Sequence, residues 1–431
     1  MTRILADKAW IDGAWASDVL LVAAADGRWS EVSVGCTAKQ AAGAVRLPGA
    51  ALPGLVDAHS HAFQRAIAGL TERLPPGQSD SFWTWRDRMY EVALAVSAQE
   101  LEDIAAHLYG ELLQGGYTHV CEFHYLHGTE PLEMAMALVR AARRAGIGLT
   151  LLPTLYMRSG FGARGLREDQ RRFASTPDTV LRIAEAVRAE GDASVTAGIA
   201  LHSLRAVEEG ALREAAQAAR AAGLPVHLHI AEQQLEVDDC RARHGRRPIE
   251  WLLENARLDA HWNLVHATQA TTAELQGVHE TGAAIVICPT TEANLGDGVF
   301  ELPTWLQLGG NWSIGSDSHV GRGWVEELRW LEYSQRLVRH ERNVAARAAG
   351  RESTAAVLFD GAVAGGAAAS GLPLGGLQVG ARADLCVLPE VPEPWRGATA
   401  ETRLDRLVFS GPGAEPRAFL VAGTQVADGA P

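Results

Sequence analysis

The strongest constraint on the fold is a regular alternation of short apolar runs with Ala-rich amphipathic stretches, between about residue 51 and residue 317. Short apolar runs are typical of buried strands, and the stretches between them have the spacing of amphipathic helices. About eight runs are present, at residues 52–56, 120–123, 148–152, 196–201, 225–230, 263–266, 283–288 and 312–317. Strands that alternate with helices form a parallel sheet, so eight such units predict an α/β fold of the (β/α)8 TIM-barrel type.

The two ends of the chain have a different texture from the middle. Both contain short strand-like segments separated by turn pairs such as Asp12-Gly13 and Asp26-Gly27 near the start, and Ala422-Gly423 near the end. Such pairs are typical of hairpins. We therefore expect residues 1–50 and 365–431 to form one small β-sandwich domain beside a barrel of residues 51–364.

Charge and cysteine content limit the class of partner. The chain has 431 residues and a formal net charge of −13, which argues against nucleic acid or an anionic membrane as the main partner. The five cysteines are scattered and form no Cys-x-x-Cys pair, which favours a reducing compartment. The first residues lack the apolar segment of a signal peptide, and no run approaches the roughly 18 apolar residues of a membrane helix. We expect a soluble, cytoplasmic protein that acts on a small molecule.

Two His-x-His pairs follow apolar runs of the predicted barrel. They are His59 with His61, and His227 with His229. Residues i and i+2 of a strand point to the same side, so each pair can aim two imidazoles at one point. For the second pair, strand parity alone does not decide which histidine binds a ligand and which packs.

Other candidate site residues end later runs, and barrel chemistry lies at the carboxyl ends of strands. His266 ends one run, Asp317 ends the last, and Glu232 follows His229 by three residues. Taken singly, His266 fits a buried, hydrogen-bonded histidine and Asp317 fits a helix cap. Together, three or four imidazoles and a carboxylate indicate a Zn²⁺ or Fe²⁺ site rather than a Mg²⁺ or Ca²⁺ site. A catalytic site of this kind keeps one position open for water, whose pKa falls towards ~7.

These motifs resemble the amidohydrolase superfamily, from the His-x-His after residue 56 to the closing stretch at residues 380–385. Within it, longer stretches most resemble the formimidoylglutamate deiminases. They lie at residues 59–66, 81–86, 122–125, 202–207, 229–234, 291–298, 315–319 and 325–333. The resemblance implies hydrolysis of N-formimino-L-glutamate to N-formyl-L-glutamate and ammonia, by a homodimer.

The resemblance also implies a set of metal ligands. One divalent ion, zinc or iron, would be held by His59, His61, His229 and Asp317, which leaves His227 as a packing residue.

Three residues would carry the proton transfers and stabilise charge, as the resemblance implies. Asp317 would take the proton from the attacking water, and Glu232 would deliver a proton to the leaving nitrogen. His266 would stabilise the attacking water or the tetrahedral intermediate.

The resemblance implies a small dicarboxylate substrate, and we expect several polar residues to bind it. Gln64 could hydrogen-bond the formimino group. Arg205, three residues after His202 at the end of a barrel strand, could clamp one carboxylate through a bidentate pair. Arg86 and Tyr125, both expected on loops, are candidates for the other carboxylate. The alternative for each arginine is a solvated surface charge.

Two other functions compete with this interpretation. Another amidohydrolase-type deaminase, acting on a purine, pyrimidine or related ring, would need aromatic stacking and amide contacts. The cationic set of Arg86, His202 and Arg205 favours a dicarboxylate instead. A non-enzymatic binding or scaffold protein is disfavoured, because a ligand set combined with an acid and a base has no structural purpose.

Overall fold

The computed structural model describes residues 2–47, 49–74, 76–77, 79–372, 375–388, 402–411 and 418–426, which form two sheets and surrounding helices. The strands are β1 (Thr2–Ile11), β2 (Ala14–Ala23), β3 (Trp29–Ser33), β4 (Val45–Arg46), β5 (Ala50–Pro53), β6 (Leu55–Ser60), β7 (Tyr117–His124), β8 (Gly148–Leu155), β9 (Val195–Ala197), β10 (Ile199–Ser203), β11 (Val226–Ile230), β12 (Trp262–His266), β13 (Ala284–Ile287), β14 (Trp312–Ile314), β15 (Leu385–Leu388), β16 (Ala418–Val421) and β17 (Thr424–Val426).

Most of the helices lie between barrel strands. They are α1 (Phe82–Ala95), α2 (Ala98–Gln114), α3 (Pro131–Ala145), α4 (Pro177–Ala189), α5 (Glu209–Ala221), α6 (Gln234–His244), α7 (Pro248–Asn255), α8 (Thr272–Thr281), α9 (Pro289–Leu295), α10 (Leu302–Leu308), α11 (Trp324–Arg339), α12 (Val344–Ala349), α13 (Thr354–Ala369) and α14 (Arg403–Ser410). Two short 3₁₀ segments, Ala62–Ile67 and Glu168–Phe173, follow β6 and β8. None of the helices in the described part of the chain is long and apolar enough to cross a membrane.

The barrel predicted from the sequence is confirmed. Its parallel strands follow the order β6-β7-β8-β10-β11-β12-β13-β14, and Asp317, just after β14, bridges back to Ser60 at the end of β6. The sequence predicts one strand over residues 196–201, but the structure divides it at Gly198 into β9 and β10. A Cβ atom at Gly198 would lie 2.6 Å from the carbonyl oxygen of Pro225, so the chain passes too close to its neighbour for a side chain.

The helices pack their apolar faces on the outside of the barrel. Helix α2 begins at a capping box, in which Ser97 and Glu100 satisfy each other's backbone N–H groups. It buries Leu101, Leu108 and Leu112 almost completely. Burial of each such leucine contributes about 2 kcal/mol, so this face fixes the helix against the strands.

The second sheet combines strands from both ends of the chain, in the order β17-β16-β15-β5-β1-β2-β3, with β4 paired to β1. The predicted turns at Asp12-Gly13 and Ala422-Gly423 join neighbouring antiparallel strands. Gly13 has a φ of +79°, which explains the glycine there. The proposed limits at 1–50, 51–364 and 365–431 stay a prediction: α13 runs through residue 365, and part of the last segment lies outside the described residues.

Candidate metal and active site

Three imidazole nitrogens converge at the carboxyl ends of β6 and β11. The Nε2 atom of His229 lies 3.0 Å from Nε2 of His59 and 3.3 Å from Nε2 of His61. The opposite nitrogens point away from this centre. Nδ1 of His61 donates to the carbonyl oxygen of Phe123 at 2.9 Å, and Nδ1 of His229 donates to that of His202 at 3.0 Å. These bonds leave the Nε2 lone pairs free to face one point.

Asp317 supplies a carboxylate to the same centre. Its Oδ1 atom lies 3.6 Å from Nε2 of His59 and 3.5 Å from Nε2 of His61. Ligands at about 2.0–2.1 Å from a tetrahedral Zn²⁺ ion lie roughly 3.3 Å apart, so these spacings fit one ion. His266 also lies next to this centre, because ligand atoms of His266, His59 and Asp317 lie within 4.8 Å of one another.

The charge state of these groups also suits a metal. Burial lowers the pKa of His59 to about 3, and it lowers the pKa of His61 and His229 below the usual value, so all three are neutral at pH 7. The pKa of Asp317 falls below its usual value despite burial, because His59 hydrogen-bonds to it. Metal ligands must be deprotonated, and these are.

Strained backbone accompanies the site. Among the described residues, ten non-glycine residues have a positive φ, and five of them lie at the carboxyl ends of barrel strands. These five are Ala231, His266, Ala267, Asp317 and His319. Such conformations persist where surrounding contacts enforce them, and they cluster at functional sites.

The two histidines of the second pair have different surroundings. His229 joins the cluster, whereas Nε2 of His227 bonds to the carbonyl oxygen of Ala369 in α13 at 2.8 Å. Strand parity left this choice open, and the contact with α13 places His227 away from the cluster.

His266 faces two carboxylates beside the cluster. Its Nε2 atom lies 3.7 Å from Oδ2 of Asp317 and 3.8 Å from Oε1 of Glu232. Its Nδ1 atom donates to Oε1 of Glu292 at 3.3 Å. Burial alone would lower the pKa of His266, but Glu232, Glu292 and Asp317 together raise it above its usual value. Burial raises the pKa of Glu232 to about 7.

A pocket opens beside the cluster. It is lined by His61, Gln64, Phe82, Trp85, Arg86, Met89, Tyr90, Tyr125, Tyr156, His202, Arg205, His229, Glu232, His266, Leu295 and Asp317. On one wall, Nε2 of Gln64 donates to the hydroxyl of Tyr125 at 2.9 Å, while its buried Oε1 atom has no hydrogen-bond partner. The pocket thus brings together every substrate-binding candidate from the sequence.

Two guanidinium groups that line the pocket lie close to the indole ring of Trp83. The Cζ atoms of Arg86 and Arg205 lie 4.5 and 5.8 Å from the ring centre of Trp83. Nε of Arg86 and Nη1 of Arg205 are buried without a hydrogen-bond partner. The nearest anion to Arg86 is the exposed Asp87, at 3.9 Å. Buried guanidinium nitrogens without hydrogen-bond partners favour an anionic ligand.

One sequence expectation needs correction. Arg86 lies in α1 (Phe82–Ala95) and not on a loop, because the Ser81-Thr84 capping box and the buried Phe82 and Met89 favour a helix there. Tyr125 lies just after β7, as a residue that follows a barrel strand should.

The sequence reasoning missed several pocket residues. Tyr90 and Tyr156 are almost fully buried on the pocket wall, and Glu292 supports His266. Tyr156 directly follows β8, so the rule used for His266 would have found it. Glu292 is in α9, and its position relative to His266 depends on packing that spacing does not reveal.

A family model supplies an independent comparison. The model described as "Amidohydrolase family" matches residues 50–426, most of the chain. The chain belongs to the amidohydrolase family. This membership confirms the superfamily expected from the motifs, and it agrees with the barrel and the terminal sheet.

Individual relatives refine the comparison. A formimidoylglutamate deiminase of Pseudomonas aeruginosa is 45% identical over 99% of this chain and 94% of its own length. A crystal structure titled as an amidohydrolase from Brucella melitensis has 41% identity and a TM-score of 0.92, covering 100% of this chain and 95% of that one. A 5-methylthioadenosine/S-adenosylhomocysteine deaminase of Halobacterium salinarum is more distant, at 28% identity over 78% of this chain and 72% of its own length.

Proposed function

We propose that this chain hydrolyses N-formimino-L-glutamate to N-formyl-L-glutamate and ammonia. The observation that carries the proposal is the pair Arg86 and Arg205, whose guanidinium groups line the same pocket as the histidine cluster. Two carboxylates on one substrate can satisfy both cations while the formimino end reaches the cluster. The 45% identical relative bears the name of this activity.

One divalent ion, zinc or iron, would be held by His59, His61, His229 and Asp317. Three neutral imidazoles favour these ions over Mg²⁺ and Ca²⁺, which prefer oxygen ligands. A bound ion of this kind supplies a Lewis acid, which makes water a nucleophile at neutral pH.

The two oxygen atoms of Asp317 face different partners, which suits two tasks. Oδ1 faces His59 and His61, whereas Oδ2 lies 3.7 Å from Nε2 of His266. Oδ1 would therefore be the ligand atom, and Oδ2 is free to take a proton from the attacking water.

Glu232 and His266 are placed to serve the other half of the reaction. A pKa of about 7 lets Glu232 hold a proton near neutral pH, and Glu232 gives this proton to the leaving nitrogen as the C–N bond breaks. Because His266 is anchored through Nδ1 by Glu292, its Nε2 atom can donate to the oxygen of the attacking water and stabilise the tetrahedral intermediate that this water forms.

The remaining polar residues orient the substrate. The unpartnered Oε1 atom of Gln64 can accept an N–H of the formimino group. The hydroxyl of Tyr125 accepts from Gln64, but as a donor it makes a long contact of 3.9 Å with Sδ of Met89, which a substrate carboxylate can replace. His202 lines the pocket together with Arg205.

A homodimer and a cytoplasmic location are also part of the proposal. The homodimer rests on the family resemblance, and the location rests on the scattered cysteines.

The test is ammonia release from a substrate panel. The panel contains N-formimino-L-glutamate, N-formimino-L-aspartate, adenosine, guanine and 5-methylthioadenosine, with enzyme whose metal content has been measured. We expect N-formimino-L-glutamate to have the highest kcat/KM. A higher kcat/KM for a purine compound would support a ring deaminase and contradict the proposal.

A further inference from the structure

A second buried carboxylate, Glu236, contacts the backbone of Glu232 and has no part in the chemistry above. Glu236 is only 5% exposed. Its Oε1 atom accepts the N–H of Ala231 at 3.1 Å, and its Oε2 atom accepts the N–H of Glu232 at 3.0 Å. We propose that Glu236 is a positioning residue that holds Glu232 in place for proton transfer. The inference rests on the proposed function, in which Glu232 is the proton donor.

The backbone around Glu232 needs such an anchor. Ala231 has a φ of +50°, a left-handed conformation that residues other than glycine rarely adopt. In this conformation, successive N–H groups point to one side and form a concave anion site, which the Glu236 carboxylate fills. The carbonyl group of Glu232 is held as well, because Oγ1 of Thr268 donates to its oxygen at 2.6 Å. Glu232 is thus fixed by side chains at both its N–H and its C=O.

The charge of Glu236 also acts on the proton affinity of Glu232. The charged groups that face Glu232 are His266 and Arg205, which lower its pKa, and Asp317 and Glu236, which raise it. Asp297 is a further titratable group nearby, and Glu232 raises its pKa. Removing the charge of Glu236 should therefore lower the pKa of Glu232, and Glu232 then loses its proton at a lower pH. A residue that only stabilised the fold would not move this titration.

Glu332 provides a matched control elsewhere in the barrel. It is fully buried in α11, and its carboxylate accepts two successive backbone N–H groups, those of Val344 at 2.9 Å and Ala345 at 3.0 Å. The residue before them, Asn343, also has a positive φ. The two glutamates thus make similar backbone bonds, although Glu332 also pairs with Arg336 at 2.8 Å. Glu236 bonds to the backbone of the pocket residue Glu232, whereas Val344 and Ala345 do not line the pocket.

The experiment compares Glu236→Gln and Glu332→Gln in the full-length, metal-loaded enzyme, by kcat and KM across pH and by thermal unfolding. We expect Glu236→Gln to lower kcat roughly 10- to 100-fold with KM within about twofold, and to shift the alkaline fall in kcat/KM to lower pH. Glu332→Gln should lose stability but keep the wild-type kcat and pH profile. Wild-type kcat and pH profile in Glu236→Gln, or equal kcat losses in both variants, would overturn the inference.

A second variant covers the case in which Glu236→Gln does not fold. Thr268→Val removes the bond to the carbonyl oxygen of Glu232 without changing any charge. We expect it to lower kcat with an unshifted pH profile, and an unchanged kcat would contradict the anchoring of Glu232. A fully active Glu232→Gln enzyme would instead refute Glu232 as the proton donor, so the two failures are distinguishable.

Discussion

The backbone N–H of Asp317 donates a 2.9 Å hydrogen bond to the carbonyl oxygen of His59, which joins the end of the last barrel strand to the end of the first. This bond brings two proposed metal ligands together. It requires close approach at Gly315, where a Cβ atom would lie 2.6 Å from Cβ of His59. The convergence of the site thus depends on a residue that carries no side chain.

Gly315→Ala should therefore weaken metal binding. The added methyl group pushes β14 away from His59, and we expect a loss of metal affinity of roughly 10- to 100-fold, measured by competition with a chelator. Gly210→Ala in α5 is the control, since no atom lies within 4 Å of a Cβ there. Equal metal affinity in both variants would show that the close approach does not matter.

The pair His227 and His229 gives a matched test of the ligand set. His229→Ala should abolish stoichiometric metal binding, since it removes the Nε2 atom that lies 3.0 Å from Nε2 of His59 and 3.3 Å from Nε2 of His61. His227→Ala should keep the metal but lower the free energy of unfolding by about 1–3 kcal/mol, because it leaves the buried carbonyl of Ala369 without its partner. Elemental analysis and denaturant unfolding measure both effects. Loss of metal from His227→Ala alone would reverse the assignment.

Arg205→Ala should lower kcat/KM for N-formimino-L-glutamate roughly 10- to 100-fold without loss of metal, since a charged hydrogen bond contributes about 1.5–3 kcal/mol. Analogues that lack either the α- or the γ-carboxylate identify which group Arg205 binds. The loss of kcat/KM caused by Arg205→Ala should vanish for the analogue that lacks the carboxylate bound by Arg205. It should persist for the other analogue. Loss of metal from Arg205→Ala would make Arg205 structural.

Glu232→Gln should retain metal and lose turnover by about 10²- to 10⁴-fold, the usual contribution of a general acid. Because Glu232 must hold a proton to act and its pKa is raised to about 7, wild-type kcat/KM should fall as pH rises through about 7. Rates measured from pH 5 to 9 check both points. Near-normal turnover in Glu232→Gln would remove it from the mechanism.

Periodicity and the chemistry of strand ends predicted the barrel and the candidate residues at its strand ends. Candidates that follow barrel strands lie near the cluster because parallel strands place their carboxyl ends at one edge, so His266 and Asp317 could be expected together despite their separation in sequence. Strand limits were less exact, as the division at Gly198 shows.

Packing and backbone conformation could not be predicted in this way. The choice between His227 and His229 depends on a contact with α13, which strand parity does not contain. The sequence analysis expects Arg86 on a loop, yet the residue is held in α1. Glu292 contacts His266 across 26 positions of sequence, so no local pattern indicated it.

The most direct test of the central claim is titration of metal-free enzyme with Zn²⁺, followed by ammonia release from N-formimino-L-glutamate. The account predicts no activity without metal and a linear rise that saturates at one ion per chain. Full activity in thoroughly chelated enzyme, or saturation only at two ions per chain, would contradict a single ion held by His59, His61, His229 and Asp317.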